Sequence, residues 1–176
     1  MYEMQKTYKI NNHNPTFFSP AFKGGVIIVF MLFLIDRFLR YLALENYNSN
    51  EKIRNLIFSP AFQDGFFVFE KNFSLAFGLP LPQVLVYTLI SAILLVLFFL
   101  ILWSYKKKNL FFIISFTLIF LGSLNNLIDR FSYGYVIDYL NFFPFPIFNL
   151  GDIMVVGGVG MVIKSKVCKV HKVESL

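Results

Sequence analysis

Four long stretches of this chain are almost continuously apolar, and polar segments separate them. They cover residues 24–44, 83–103, 110–128 and 147–163. About 20 apolar residues in a helix cross roughly 30 Å of hydrocarbon, so each stretch predicts a spanning helix. The segment between the first two stretches, residues 45–81, holds an aromatic run, Gly65-Phe-Phe-Val-Phe69, with strand character. The segment 129–146 holds a second such run, Tyr133-Gly-Tyr-Val-Ile-Asp-Tyr139. Alternation places Val136, Asp138 and Leu140 on one face of that strand. Pro144 and Pro146 end it before the fourth stretch.

Composition agrees with this pattern. Of 176 residues, 57% are hydrophobic and 15% charged, and 24 are Phe, which excludes an ordinary soluble domain. Lys and Arg set an orientation. Lys6, Lys9 and Lys23 precede the first stretch, Lys106, Lys107 and Lys108 link the second to the third, and Lys164, Lys166, Lys169 and Lys172 follow the fourth. Lys52, Arg54, Lys71 and Arg130 are spread over the other two segments. Both termini therefore read as cytoplasmic. The net charge of +6 reflects topology, and a nucleic-acid partner is not expected.

The expected fold is all-α membrane: four transmembrane helices with a small, cradle-like extracytoplasmic β-sheet from the two outer loops. Residues 1–23 form a cytoplasmic segment, 24–164 a four-span catalytic core and 165–176 a cytoplasmic basic tail, as one membrane domain. The first stretch carries Asp36, Arg37 and Arg40 and lacks a small-residue cleavage site, so it reads as a retained anchor. No internal repeat is visible.

Candidate chemistry rests on acids. Charged groups in or beside spans are costly and are functional suspects by default. Asp138 lies in the second outer segment and Asp152 near the outer end of the fourth stretch, so topology puts both on one side. Asn149 precedes Asp152 by three residues and shares its helix face. Gly122, Asn126 and Asp129 recur at helical spacing near the end of the third stretch. Asp129 and Asp138 are rival partners for Asp152, and topology alone does not separate them. Asp129 is followed by Arg130 and reads as an acid held ionised by that or another cation. A proton-sharing pair needs the opposite environment, which favours Asp138. Asp36 and Arg40 are four apart and can pair along one face, bracing the bundle. Asn72, before the second stretch, offers an amide for a substrate backbone; the plainer reading is a turn residue. The glycines of the fourth stretch read as close helix packing.

Cys168 is the single cysteine, so neither an intrachain disulfide nor a cysteine metal site is possible. His13 and His171 lie in the polar termini, away from any core site.

On these residues the chain resembles the lipoprotein signal peptidase, or signal peptidase II, family. Asn126-Leu-Ile-Asp129-Arg130 resembles the family's Asn-x-x-Asp-Arg block. Gly134-Tyr-Val-Ile-Asp138-Tyr is similar to Gly-x-Val-Val-Asp-Phe, Phe148-Asn149-Leu-Gly-Asp152 to Phe-Asn-x-Ala-Asp, and Asn72 through Phe77 to Asn-x-Gly-Ala-Ala-Phe. The chain departs from the pattern at Gly151, Asn125, Arg40, Ser74 and Leu75, and in a shorter loop between the two aspartate blocks.

The resemblance implies an aspartic endopeptidase of the bacterial inner (plasma) membrane, with Asp138 and Asp152 as catalytic dyad. Asn72, Asn126, Asp129, Arg130, Asn149, Asp36 and Arg40 become substrate-binding or supporting residues. It implies lipidated prolipoprotein substrates cut before the lipid-bearing cysteine at the extracytoplasmic face, contact with membrane lipids, a monomer, and neither metal nor organic cofactor. The alternatives are a non-catalytic lipoprotein-binding relative and a small four-span transporter or channel. The first would lack a dyad member, and the second would place its acids near the midplane.

Overall fold

The computed structural model describes residues 20–48, 66–73, 82–142 and 144–174, with side chains from 23 to 165. The expected features at Ser74 and Leu75, in residues 1–19 and 49–65, and in the side chains of the basic tail lie outside these. The elements are α1 (Pro20–Asn48), β1 (Phe67–Asn72), α2 (Gln83–Lys106), α3 (Leu110–Tyr133), β2 (Val136–Leu140) and α4 (Leu150–Glu174). Among the described residues the protein is mostly helical with one two-stranded antiparallel sheet.

Among the described residues, two helices, α2 and α3, are long and apolar enough to cross a membrane. Their sequences contain no proline, and α2 leaves Ile93, Leu95, Val96, Phe98 and Phe99 exposed. So continuous an apolar surface is a lipid or partner surface rather than a watered one. The link between α2 and α3 is short because Asn109 caps α3, its side chain accepting from Phe112 N at 3.3 Å. Helix α3 packs mainly on α4, and α1 and α2 each pack on α3. The approach of α3 to α4 requires Gly122: a Cβ there would run into the Gly151 carbonyl oxygen. The glycine reading holds for Gly151 and Gly158, which face packed neighbours, and fails for Gly157 and Gly160, whose Cβ positions are open.

The helix of the third stretch extends beyond the expected 110–128 to Tyr133, so Asp129 and Arg130 are helical rather than in a loop. Nothing breaks it before Gly134, which adopts a left-handed conformation with φ 80° and returns its N–H to Arg130 O at 3.0 Å. The chain then turns at once into β2. The first strand is displaced from the expected 65–69, and Asn72 is its last residue rather than a turn residue. Pairing with β2 holds these polar positions extended: Glu70 lies opposite Asp138 and Asn72 opposite Val136. Strand β2 is buried on both faces, since Val136, Ile137, Asp138 and Tyr139 are all buried. Ala43 of α1, Phe67, Ile137 and Tyr139 form the apolar core beneath the sheet.

After β2 the chain folds back on itself. Tyr139 N and Leu140 N both donate to Phe148 O, at 3.1 and 2.8 Å, and Phe148 N donates to Leu140 O at 3.1 Å. This return sets the start of α4 beside β2. Helix α4 begins at Leu150, later than the expected 147, and runs to Glu174.

Candidate active site

The N-terminus of α4 is built by a reciprocal cap. Asp152 N donates to Asn149 Oδ1 at 3.0 Å, and Asn149 N donates to Asp152 Oδ2 at 3.2 Å. This is the capping-box arrangement with Asn and Asp in its two places. Asn149 is therefore the residue before the helix, not a member of its face. Its position frees the amide nitrogen, which donates to Asp138 Oδ1 at 2.5 Å. Asp138 Oδ2 accepts from Asn72 Nδ2 at 2.9 Å, and Asp152 Oδ1 accepts from Asn126 Nδ2, also at 2.9 Å. Three asparagines thus present two carboxylates, one from a strand and one from a helix end.

Asp138 is buried, and its carboxyl is pushed up to about 6. Burial is the main cause; the amides of Asn72 and Asn149 oppose it, while the Asp152 charge adds to it. The two acids therefore interact electrostatically. Arg130 is buried, lies in the field of both, and donates to Asn126 O at 3.3 Å. An open cleft of about 360 Å³ is lined by residues 70–73 of β1 and its end, by Asp138, and by Pro146 and Ile147. Asp152 is half-buried and is linked to this cleft through Asn149 rather than forming its wall.

Beneath the two acids lies a buried ionic lattice. Arg40 donates to Asp36 Oδ2 from Nε at 3.0 Å and from Nη2 at 2.9 Å. Its Nη1 pairs with Asp129 Oδ2, and Arg37 Nη1 binds Asp129 Oδ1 at 2.6 Å. Ile137 N also donates to Asp129 Oδ2, at 3.0 Å. Of the cations the sequence left open for Asp129, Arg130 or another, the partners are Arg37 and Arg40 of α1. Both Asp129 oxygens are taken, and the residue is fully buried. Arg40 Nη2 reaches on to Asn126 Oδ1 at 2.7 Å, which orients that amide so its nitrogen faces Asp152.

The comparisons with known proteins converge. The family model for signal peptidase (SPase) II matches residues 28–167. The lipoprotein signal peptidase of Halothermothrix orenii is 34% identical over 78% of this chain and 90% of its own length. The chain belongs to the signal peptidase II family.

The lipoprotein signal peptidase of Shewanella pealeana is 31% identical over 77% of this chain and 81% of its own length. Two bacterial membrane enzymes solved by the in meso method share the fold. The first has a TM-score of 0.65 at 24% identity, over 84% of this chain and 90% of its own. The second has a TM-score of 0.58 at 22% identity, over 81% and 92%. The protein is an integral membrane peptidase.

Every site residue expected from the sequence falls in one connected network. Asn72, Asn126, Asn149 and Arg130 surround Asp138 and Asp152, and Asp36, Arg40 and Asp129 lie in the lattice below. Three members of that lattice escaped the sequence reading of their roles: Arg37, Asn125 and Tyr139. Arg37 had a signal, being a charge inside an apolar stretch. Tyr139 had one too, since alternation turns it away from Asp138 into the core, where a hydroxyl needs a partner. Asn125 donates to Asp36 Oδ2 at 2.7 Å, a contact between α3 and α1 that no local pattern reveals.

Proposed function

We propose that this peptidase is an aspartic endopeptidase that removes signal peptides from diacylglyceryl-modified prolipoproteins, cutting just before the lipidated cysteine. One observation carries the aspartic assignment. Asp138 and Asp152 come from separate elements yet meet at Asn149, and burial with the charge of Asp152 pushes Asp138 up to about 6. Two acids that do not both ionise freely are what general acid–base cleavage of an amide requires. The substrate reading is supported by relatives that carry the name lipoprotein signal peptidase over most of their length.

In this mechanism the dyad enters with one shared proton. The ionised aspartate takes a proton from water as the oxygen attacks the scissile carbonyl carbon. The protonated aspartate donates to the carbonyl oxygen, and a neutral tetrahedral diol forms. The aspartate that gained the water proton passes it to the departing nitrogen. The C–N bond breaks, a carboxylic acid and an amine are released, and the remaining hydroxyl proton returns to the dyad. Asn72 and Asn149 hold Asp138 in place, Asn126 holds Asp152, and Arg130 supplies a fixed positive charge beside both.

The membrane reading is four spans, α1 to α4, with residues 1–23 and 165–176 cytoplasmic and the dyad at the extracytoplasmic face. The peptidase acts as a monomer, with substrate acyl chains lying in lipid against the bundle. Single cysteines at Asn48 and Phe142, in a background lacking Cys168, should react with an impermeant thiol reagent added outside cells, and one at Lys107 should not. Outside labelling of the Lys107 site would invert this topology.

The substrate assignment is tested with one precursor in two forms. Two buried acyl chains contribute about 0.8 kcal/mol per methylene, which secures anchoring at the interface. Binding energy remote from the reacting carbonyl can then orient it. The lipidated precursor should be cleaved at least roughly a hundredfold faster than the unlipidated one in the same bilayer. Equal rates would mean that the lipid is not read and would favour a general membrane protease.

A further inference from the structure

Tyr139 is fully buried, and its hydroxyl is used twice. It donates to Asp36 Oδ1 at 2.8 Å and accepts from Leu150 N at 3.2 Å. Burial and then the Asp36 charge push the phenol well above its usual range, so it remains a donor toward Asp36 at any working pH. Leu150 N is one of the N-terminal donors of α4 that no helical carbonyl can satisfy. The hydroxyl therefore joins three elements: β2, which carries it, α4 through Leu150, and α1 through Asp36.

The two aspartates stand at either end of these links. Asp138 is the chain neighbour of Tyr139, and Asp152 is two residues beyond Leu150 in the same turn. A second route runs from Asp36 through Arg40 to Asn126 Oδ1, and from Asn126 Nδ2 to Asp152 Oδ1 at 2.9 Å. Gly151 makes room for this route, because a Cβ there would stand 3.1 Å from Asp36 Oδ2 and 3.0 Å from Arg40 Nη2.

We propose that Tyr139 is a positioning residue of the cleavage reaction: beside the backbone pairing of Leu140 with Phe148, its hydroxyl fine-tunes the spacing between the strand carrying Asp138 and the helix end carrying Asp152. The inference rests on the dyad reading above. Removing the oxygen leaves both Asp36 Oδ1 and Leu150 N without a hydrogen bond that the fold otherwise supplies, and lets β2 and α4 shift relative to each other. Small misplacements of reacting groups cost rate steeply, while the walls that bind the substrate stay in place.

The test is Tyr139→Phe, which keeps the ring against Phe67 and installs the Phe of the family's Asp-Phe block, so the role tested is one this chain has built on its own hydroxyl; it is assayed with a lipidated precursor well below the melting temperature. The expected result is a fall in kcat of about tenfold with KM about unchanged. With the Asp152 charge held less closely, the Asp138 carboxyl should also titrate lower, moving the alkaline limb of the kcat profile to lower pH. Combined with Asn126→Ala, the loss should be smaller than the product of the single losses, because both act on Asp152. A wild-type kcat and pH profile in folded Tyr139→Phe, or fully multiplicative losses, would overturn the inference. Asp138→Asn run alongside separates the two failures. If it cleaves, the dyad reading is wrong; if it is dead while Tyr139→Phe is normal, only the positioning role falls.

Discussion

Asp138→Asn and Asp152→Asn are each expected to lower cleavage by roughly a thousandfold or more while leaving the protein folded and membrane-inserted. An amide of the same shape can neither take a proton from water nor hold the shared one. The contacts that survive explain why folding should persist. Asn at 138 can still accept from Asn72, and Asn at 152 can still accept from Asn126 through its carbonyl oxygen. The wild type supplies a second readout, because burial pushes Asp138 up to about 6. As pH rises through that value the shared proton leaves, so kcat/KM should fall on the alkaline side. A bound substrate that excludes water should carry the limb of kcat higher. The stability sign is opposite to that of a salt-bridged acid. With the native value above the ordinary 3.8, the folded state binds more protons between about pH 4 and 6, and stability falls as pH rises through that window. Asp138→Asn should lack this slope in a thermal-shift series. Near-normal cleavage by either purified variant would remove the dyad assignment.

Asp129→Asn is expected to do the converse and cost stability first. Asp129 is fully buried and receives Arg37, Arg40 and Ile137 N. Removing one partner from a buried ionic network costs about 3–5 kcal/mol, because the remaining charges stay desolvated and unbalanced. Arg40 keeps its pair with Asp36, while Arg37 loses the carboxylate it binds. A fall in melting temperature of roughly 10 °C in detergent should follow, larger than that for Asp138→Asn. A variant at 129 with unchanged stability but no activity, beside an active Asp138→Asn, would make Asp129 the partner of Asp152.

The placement of Asp129 shows how far linear reasoning reaches. The sequence identified a buried acid that needs a cation, since an ionised carboxylate among apolar residues is untenable alone. It offered the adjacent Arg130, but neighbours in a helix point about 100° apart. The cations are Arg37 and Arg40, more than 80 residues away, delivered by the packing of α1 on α3. Arg130 is turned instead toward the paired acids.

What the sequence determined by itself is local or compositional. The apolar stretches, the strand-like run carrying Asp138 and the family blocks all rest on short-range physics or motif order. They were enough to name the acids, the asparagines and the peptidase family. The element boundaries were less legible, because helices α3 and α4 continue past the apolar stretch until a backbone signal or a cap stops them. Only the tertiary structure decided which groups meet. It turned Asn149 from a helix-face residue into a cap whose spare amide bonds Asp138, and placed Asn72 at a strand end beside the same carboxyl. It also carried the Tyr139 hydroxyl across to Asp36 and Leu150. Each contact joins different elements, and its energy depends on burial and relative placement, quantities that spacing along one chain does not contain.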